Sequence, residues 1–222
     1  MIIFFPFIIA FIITTLITPL SLIVIKKIGL VDDPKLHKHP AMLHKRPTPR
    51  GGGIPLFIGI VITSIFLLPK TAAVIALFVA GSIALLIGVI DDKYDISPYL
   101  RFLANIAVAL IVVTAGITVP FITNPFGGIL YLNSIILPID FLGLHFLIAL
   151  SDVVAVLWII WVMNMLNWSK GVDGQMPGIV AISAVTIGLL SLRFAGSDSF
   201  SRVGVDLSFI IAGASLGFLI FN

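Results

Sequence analysis

Apolar residues fall into seven long runs, at residues 2–25, 54–68, 71–90, 100–119, 146–165, 177–192 and 203–221, separated by short polar stretches. Neither an alternating nor a one-sided helical pattern holds within them. The runs are apolar on every face, which is the signature of helices surrounded by lipid or by other apolar helices. Two runs, 54–68 and 177–192, fall short of the ~20 residues that span a bilayer comfortably, so their flanks are expected to extend them. The second and third are predicted to form a tight hairpin at Pro69-Lys70. The first run lacks a basic n-region and a small-x-small cleavage site and is too long for an h-region, so it reads as a membrane helix rather than a leader peptide. Residues 123–145 hold Pro, Gly and the alternating stretch Ile129-Leu130-Tyr131-Leu132, which predicts a small hairpin or re-entrant piece.

Composition sharpens this picture. Of 222 residues, 59% are apolar and 10% charged, and the mean hydropathy is +1.22. Such a chain cannot cover a soluble surface, which excludes a water-soluble enzyme, a nucleic-acid-binding module and a disordered chain. Cysteine is absent, so there is no disulfide framework, thiolate metal site or Cys nucleophile. All ten acidic residues are Asp. Asp favours caps, turns and ion sites over helix interiors.

The position of charge sets the orientation. Lys26, Lys27, Lys35, Lys38, Lys45, Arg46 and Arg50 precede the second run, Lys93 and Arg101 follow the third, and Lys170 follows the fifth. Seven spans place these ten cations on one side and Lys70, Arg193 and Arg202 on the other. The cation-rich side is then cytoplasmic and the N-terminus outside. The expected architecture is an all-α integral membrane protein of about seven transmembrane helices, a single polytopic domain over residues 1–222, with three functional cytoplasmic loops.

Those three loops hold the chemistry. The middles of the runs carry no Asp, Lys, Arg or His, whereas an ion-driven transporter usually carries such groups at membrane depth. The first loop contains Asp32-Asp33-Pro34 and then His44-Lys45-Arg46-Pro47-Thr48-Pro49-Arg50-Gly51-Gly52-Gly53. A glycine-rich turn opening a helix lets backbone N–H groups approach an anion; the plainer alternative is a basic loop lying on anionic headgroups. The second loop is centred on Asp91-Asp92-Lys93-Tyr94-Asp95. Adjacent carboxylates at a helix C-terminus repel each other and meet the negative end of the dipole, a conflict that a divalent cation or a catalytic need resolves. A solvated turn before Ser97-Pro98 is the alternative. In the third loop Asn164 and Asn167 share one helix face. Asp173 stands between Gly171-Val172 and Gly174, where the alternative is an ordinary Gly-rich turn. Cations, paired carboxylates and a further carboxylate with amides, all on one face, describe a site for a phosphorylated substrate and Mg²⁺.

These residues together resemble the polyprenyl-phosphate N-acetylhexosamine-1-phosphate transferases. The shared pieces are Asp32-x-Pro34, His44-x-x-Pro47-x-Pro49-Arg50-x-Gly52-Gly53, Gly88-x-x-Asp91-Asp92 with Ser97-Pro98, and Asn164-x-x-Asn167 followed by Gly171-x-Asp173-Gly174. The first loop looks more like the branch that uses UDP-GlcNAc or a related UDP-HexNAc than like the phospho-MurNAc-pentapeptide branch. The resemblance implies transfer of a HexNAc-1-phosphate from a UDP-sugar to undecaprenyl or another polyprenyl phosphate, with release of UMP. Mg²⁺ would be the cofactor, with Mn²⁺ as a substitute, and the reaction would initiate a cell-envelope glycan such as lipopolysaccharide or teichoic acid. It implies a prokaryotic plasma-membrane protein whose site faces the cytoplasm, with no nucleic-acid partner and room for a homodimer.

By the same resemblance Asp91, Asp92 and Asp173 are the catalytic and metal-binding carboxylates. Asp32, His44, Arg50, Asn164, Asn167 and Lys170 are the substrate-binding set. Lys170 departs from the family, which has Asp there; it can pair with a substrate phosphate or disturb metal binding. Family members also continue beyond the segment matching Phe218-Leu219-Ile220-Phe221-Asn222, so the expectation is the N-terminal two-thirds of the family fold. Lys170 and length together keep a second reading open, a non-catalytic homologue that binds polyprenyl phosphate or a membrane partner.

Overall fold

A computed structural model describes residues 4–32, 48–141, 144–169, 172–193 and 199–222. Seven helices occur among them: α1 (Phe5–Lys27), α2 (Gly53–Leu67), α3 (Ala72–Tyr94), α4 (Pro98–Thr114), α5 (Leu150–Trp168), α6 (Gln175–Ser191) and α7 (Ser199–Leu219). Four are long and apolar enough to cross a membrane: α1, α3, α5 and the Ser201–Leu219 part of α7. Helices α2, α4 and α6 are apolar but shorter, at 15, 17 and 17 residues. The chain is a helical membrane protein, since in lipid a helix satisfies its backbone polar groups internally.

Three small antiparallel pairs interrupt the helices: β1 (Val31–Asp32) with β2 (Thr48–Pro49), β3 (Phe121–Thr123) with β4 (Ile129–Tyr131), and β5 (Ile136–Phe141) with β6 (Leu144–Ala149). The hairpin expected around Ile129–Leu132 is the β3–β4 pair. Its turn is closed by Gly127 N–H donating to Asn124 O at 3.0 Å, and the Asn124 side chain accepts from Phe126 N at 3.0 Å. Residues 146–149, expected to open the fifth membrane run, instead pair as strand β6, and α5 starts at Leu150. Their backbone groups find partners across the ladder with β5, which removes the need to form helix.

The chain divides into two units. The first comprises residues 1–70, 85–96 and 169–222. In it α7 packs against α1, α6 and α2. The helices meet through small and hydroxyl-bearing residues. The buried positions of α1 are Pro6, Ala10, Thr14, Thr18, Ser21 and Ile25. Its exposed large residues, Ile8, Ile12, Leu16, Leu20 and Ile23, keep nearly the same spacing on another face. This inverts the soluble pattern. Lipid is as apolar as Leu, so helices associate by close packing of small surfaces rather than by hiding large ones from water. A Cβ on Gly213 of α7 would run into the Phe7 carbonyl, and one on Gly217 would lie 2.6 Å from Phe11 O. A Cβ on Gly59 of α2 would run into Thr14 Oγ1. The second unit comprises residues 71–84 and 97–168. Its core is Ala80 with Val108 and Val112, flanked by Leu77, Ile111, Ile159 and Met163.

Candidate functional site

The first unit gathers pieces of all three polar loops. Chain direction after α1 is reversed by the β1–β2 pair, in which Asp32 stands opposite Thr48 and Val31 opposite Pro49. The stem brings Arg50 back beside the end of α1, where Arg50 N–H donates to Leu30 O at 2.9 Å. Gly51 then takes φ +87, a conformation that glycine adopts without steric cost. Ile54 N–H donates to Gly51 O at 3.0 Å, and α2 begins. The three glycines are therefore the turn that starts α2, as their pattern suggests. A Cβ on Gly53 would lie 3.3 Å from the Leu85 side chain of α3, so this turn sits against the last part of α3.

Asp91 and Asp92 lie inside the last turns of α3, at a helix C-terminus as the sequence suggests, and the helix runs on to Tyr94, beyond the end of the apolar run at residue 90. Two features shape the end of the helix. Lys93 supplies a cation in its last turn, which the dipole favours. Asp95, at φ +49, ends the helix with its N–H donating to Asp91 O at 2.8 Å. Both carboxylates are half-buried, and Asp91 Oδ1 is shielded from solvent. Across 42 residues of chain, Arg50 Nη1 donates to Asp92 O at 3.4 Å. The bond is long for a charge-assisted one, but it brings a guanidinium to the negative end of the helix dipole. Arg50, Asp91 and Asp92 each engage in further interactions as well. Lys93 Nζ lies 5.5 Å from the centre of the Tyr94 ring.

Asp173 is exposed, in the turn before α6. Gly174 caps that helix at φ +73, and Gly178 N–H donates to Gly174 O at 3.0 Å. Gly174 N–H itself donates to Asn222 Oδ1 at 3.4 Å, and a Cβ on Gly174 would lie 3.2 Å from Leu219 Cδ1. The preceding residue of α7, Phe218, abuts Gly52 of the first turn. The end of α7 thus touches the turns carrying Arg50 and Asp173. Sequence reasoning passed over Phe218, Leu219 and Asn222, because two apolar residues and an Asn at the edge of an apolar run carry no chemical signal. Only a predicted close approach to Gly52 and Gly174 would have drawn attention to them.

The remaining expected residues are distributed differently. Asn164 and Asn167 belong to the second unit, on α5. Asn164 Nδ2 donates to Ile160 O of its own helix at 2.8 Å, and Asn167 is exposed. The backbone of Asp32 is in the β1–β2 stem, while His44 and Lys170 lie outside the described residues. Among the described residues no three His, Cys, Asp or Glu side chains converge into a metal cluster.

The profile of the family described as glycosyl transferase family 4 matches residues 74–222, a stretch holding Asp91, Asp92, Asn164, Asn167 and Asp173. A probable undecaprenyl-phosphate N-acetylglucosaminyl 1-phosphate transferase of Bacillus subtilis is 30% identical over 97% of this chain and 54% of its own length. The decaprenyl-phosphate N-acetylglucosaminephosphotransferase of Mycobacterium tuberculosis is 31% identical over 81% of this chain and 45% of its own length. The undecaprenyl-phosphate alpha-N-acetylglucosaminyl 1-phosphate transferase of Escherichia coli is 28% identical over 90% of this chain and 51% of its own length. The chain spans about half the length of the curated relatives it matches. With a profile match over most of its length, carrying the paired carboxylates and the Asp173 turn, the chain belongs to glycosyl transferase family 4.

Proposed function

We propose that this chain moves a HexNAc-1-phosphate, GlcNAc-1-phosphate in the first instance, from a UDP-sugar to a polyprenyl phosphate at the cytoplasmic face of the plasma membrane. The observation that carries the proposal is the meeting of Arg50 with the Asp91–Asp92 end of α3. The names of the relatives support the acceptor and the sugar, and the excess of cations in the loops holding these residues supports the sidedness.

The reaction needs little covalent help. A lipid phosphate has its second pKa near ~6, so it is mostly dianionic at neutral pH. One of its oxygens forms a bond to the β-phosphorus of the UDP-sugar. The bond from that phosphorus to the bridging oxygen breaks, and UMP leaves with the oxygen and its electron pair. The protein must hold two anions in line and offset their repulsion. Arg50 suits the donor diphosphate through its planar fork of N–H groups. Asp91, Asp92 and Asp173 offer hard oxygen donors, and Mg²⁺ is usually held by one or two carboxylates plus substrate phosphates and water. That fits a pair of half-buried carboxylates better than a closed protein cage. When bound, the ion neutralises charge on the diphosphate. Asp91 and Asp92 act as organisers of the acceptor phosphate rather than as an obligatory base, because the acceptor has already lost its proton. His44, Asp32 and Lys170 are further proposed contacts to sugar and phosphate, and Asn164 and Asn167 are proposed as substrate-binding residues on the family resemblance alone.

The test is UMP release by the purified chain in detergent with undecaprenyl phosphate, Mg²⁺ and a panel of UDP-sugars. Release that requires lipid and metal and is lost in Asp173→Asn is expected. Retained polyprenyl-phosphate binding without any release would favour the non-catalytic reading instead.

A further inference from the structure

The close fit of one aromatic ring beneath the glycine turn has no part in the chemistry above. Phe218, on the last turns of α7, is 8% exposed. A Cβ built on Gly52 would lie 2.6 Å from its Cζ, 3.4 Å from Cε2 and 3.5 Å from Cε1. The outer edge of the ring is therefore seated on the Gly52 backbone, where any side chain would have to displace it. The turn is tied on both sides of that contact: Arg50 N–H to Leu30 O at 2.9 Å and Ile54 N–H to Gly51 O at 3.0 Å. Between these ties the chain passes through Gly51 at φ +87; Ile25, Leu30 and Ile54 side chains lie about Gly51 and Leu85 beside Gly53, while the face of Gly52 is met by the Phe218 ring. The next residue, Leu219, lies against Gly174 beside Asp173.

We infer that Phe218 is a positioning residue: it sets the height of the Gly51–Gly53 turn, and through it the reach of the Arg50 guanidinium to the Asp91–Asp92 end of α3. It touches no substrate and acts through Arg50. The inference rests on the transferase reading for its kinetic consequence, but its structural consequence is independent of turnover. Removing the ring lets the turn sink, and a misplacement on the order of 1 Å can cost about 100-fold in rate.

Two measurements test it. In the UMP-release assay, Phe218→Ala is expected to lower kcat by about 10- to 100-fold with the KM for polyprenyl phosphate unchanged. Val205→Ala, at another buried position of α7, should lower thermal stability, by less than the larger Phe truncation does, and keep kcat. Arg50→Ala with Phe218→Ala together should be no slower than Arg50→Ala alone. Independent, multiplying losses, or an equal loss in Val205→Ala, would overturn the inference. The second measurement needs no activity. The chain lacks cysteine, so spin labels at Thr48→Cys and Tyr94→Cys report only that pair. A narrow distance distribution that broadens or shifts in Phe218→Ala, and not in Val205→Ala, is expected; an unchanged distribution would overturn the inference. If the parent chain releases no UMP, the transferase reading fails and the spin-label distances still decide the role of Phe218.

Discussion

At the scale of single residues, the end of α3 shows how a sequence that looks unfavourable is made tolerable. Two adjacent carboxylates at the negative end of a helix dipole should destabilise it. Lys93 in the same turn and Arg50 donating to Asp92 O place cations beside them. The proposed roles of the Asp pair differ in their pH signature. With the acceptor's own ionisation near ~6 setting the acid limb, Asp91→Asn should lower kcat/KM by a similar factor across pH 6–9 and leave that limb in place. A pH–rate profile checks this, and loss of the limb in the variant would identify Asp91 as the base instead.

At the scale of elements, the contacts of α1 with α2 and α7 are decided by volumes rather than by hydrophobicity. Thr14 is fully buried with its Oγ1 aimed at Gly59, and Oγ1 finds no hydrogen-bond partner among the described residues. Gly59→Ala is therefore expected to destabilise the chain by about 1–3 kcal/mol, the usual cost of overpacking, seen as a lower Tm in detergent. Thr14→Ala removes an unsatisfied hydroxyl and should cost less than about 1 kcal/mol on its own. Combined with Gly59→Ala it should recover part of the lost Tm, because Oγ1, the nearest atom that the new methyl group meets, is gone while Cβ and Cα of residue 14 stay. Strict additivity of the two changes would contradict this contact.

At the scale of the whole molecule, the distribution of cations makes a claim about sidedness that thiol labelling can check, since the chain has no cysteine of its own. In intact cells, a cysteine at Lys70, between α2 and α3, should react with a membrane-impermeant reagent. One at Lys93, at the other end of α3, should react only after the cells are opened. The same labelling pattern for both positions would reject the proposed orientation.

How much was legible in advance follows from the physics of each feature. Apolar runs too uniform for a soluble helix were enough to determine a helical membrane protein, because lipid leaves a backbone few other ways to satisfy its hydrogen bonds. The glycine turn and the Ser97-Pro98 start of α4, where Leu100 N–H donates to Ser97 Oγ at 3.3 Å, were equally local, since caps and turns depend on residues within one turn. The Asp91–Asp92 pair at a helix C-terminus was legible, but the guanidinium brought beside it from 42 residues away was not. Nor could the strand character of residues 144–149 be read from an apolar stretch, for it depends on pairing with β5. The part played by Phe218, Leu219 and Asn222 belongs wholly to tertiary structure: their identities are unremarkable in an apolar helix, and only packing brings them under Gly52 and Gly174. Chemistry was written in the polar residues; the surfaces that hold those residues in place were decided by which small side chains let helices approach.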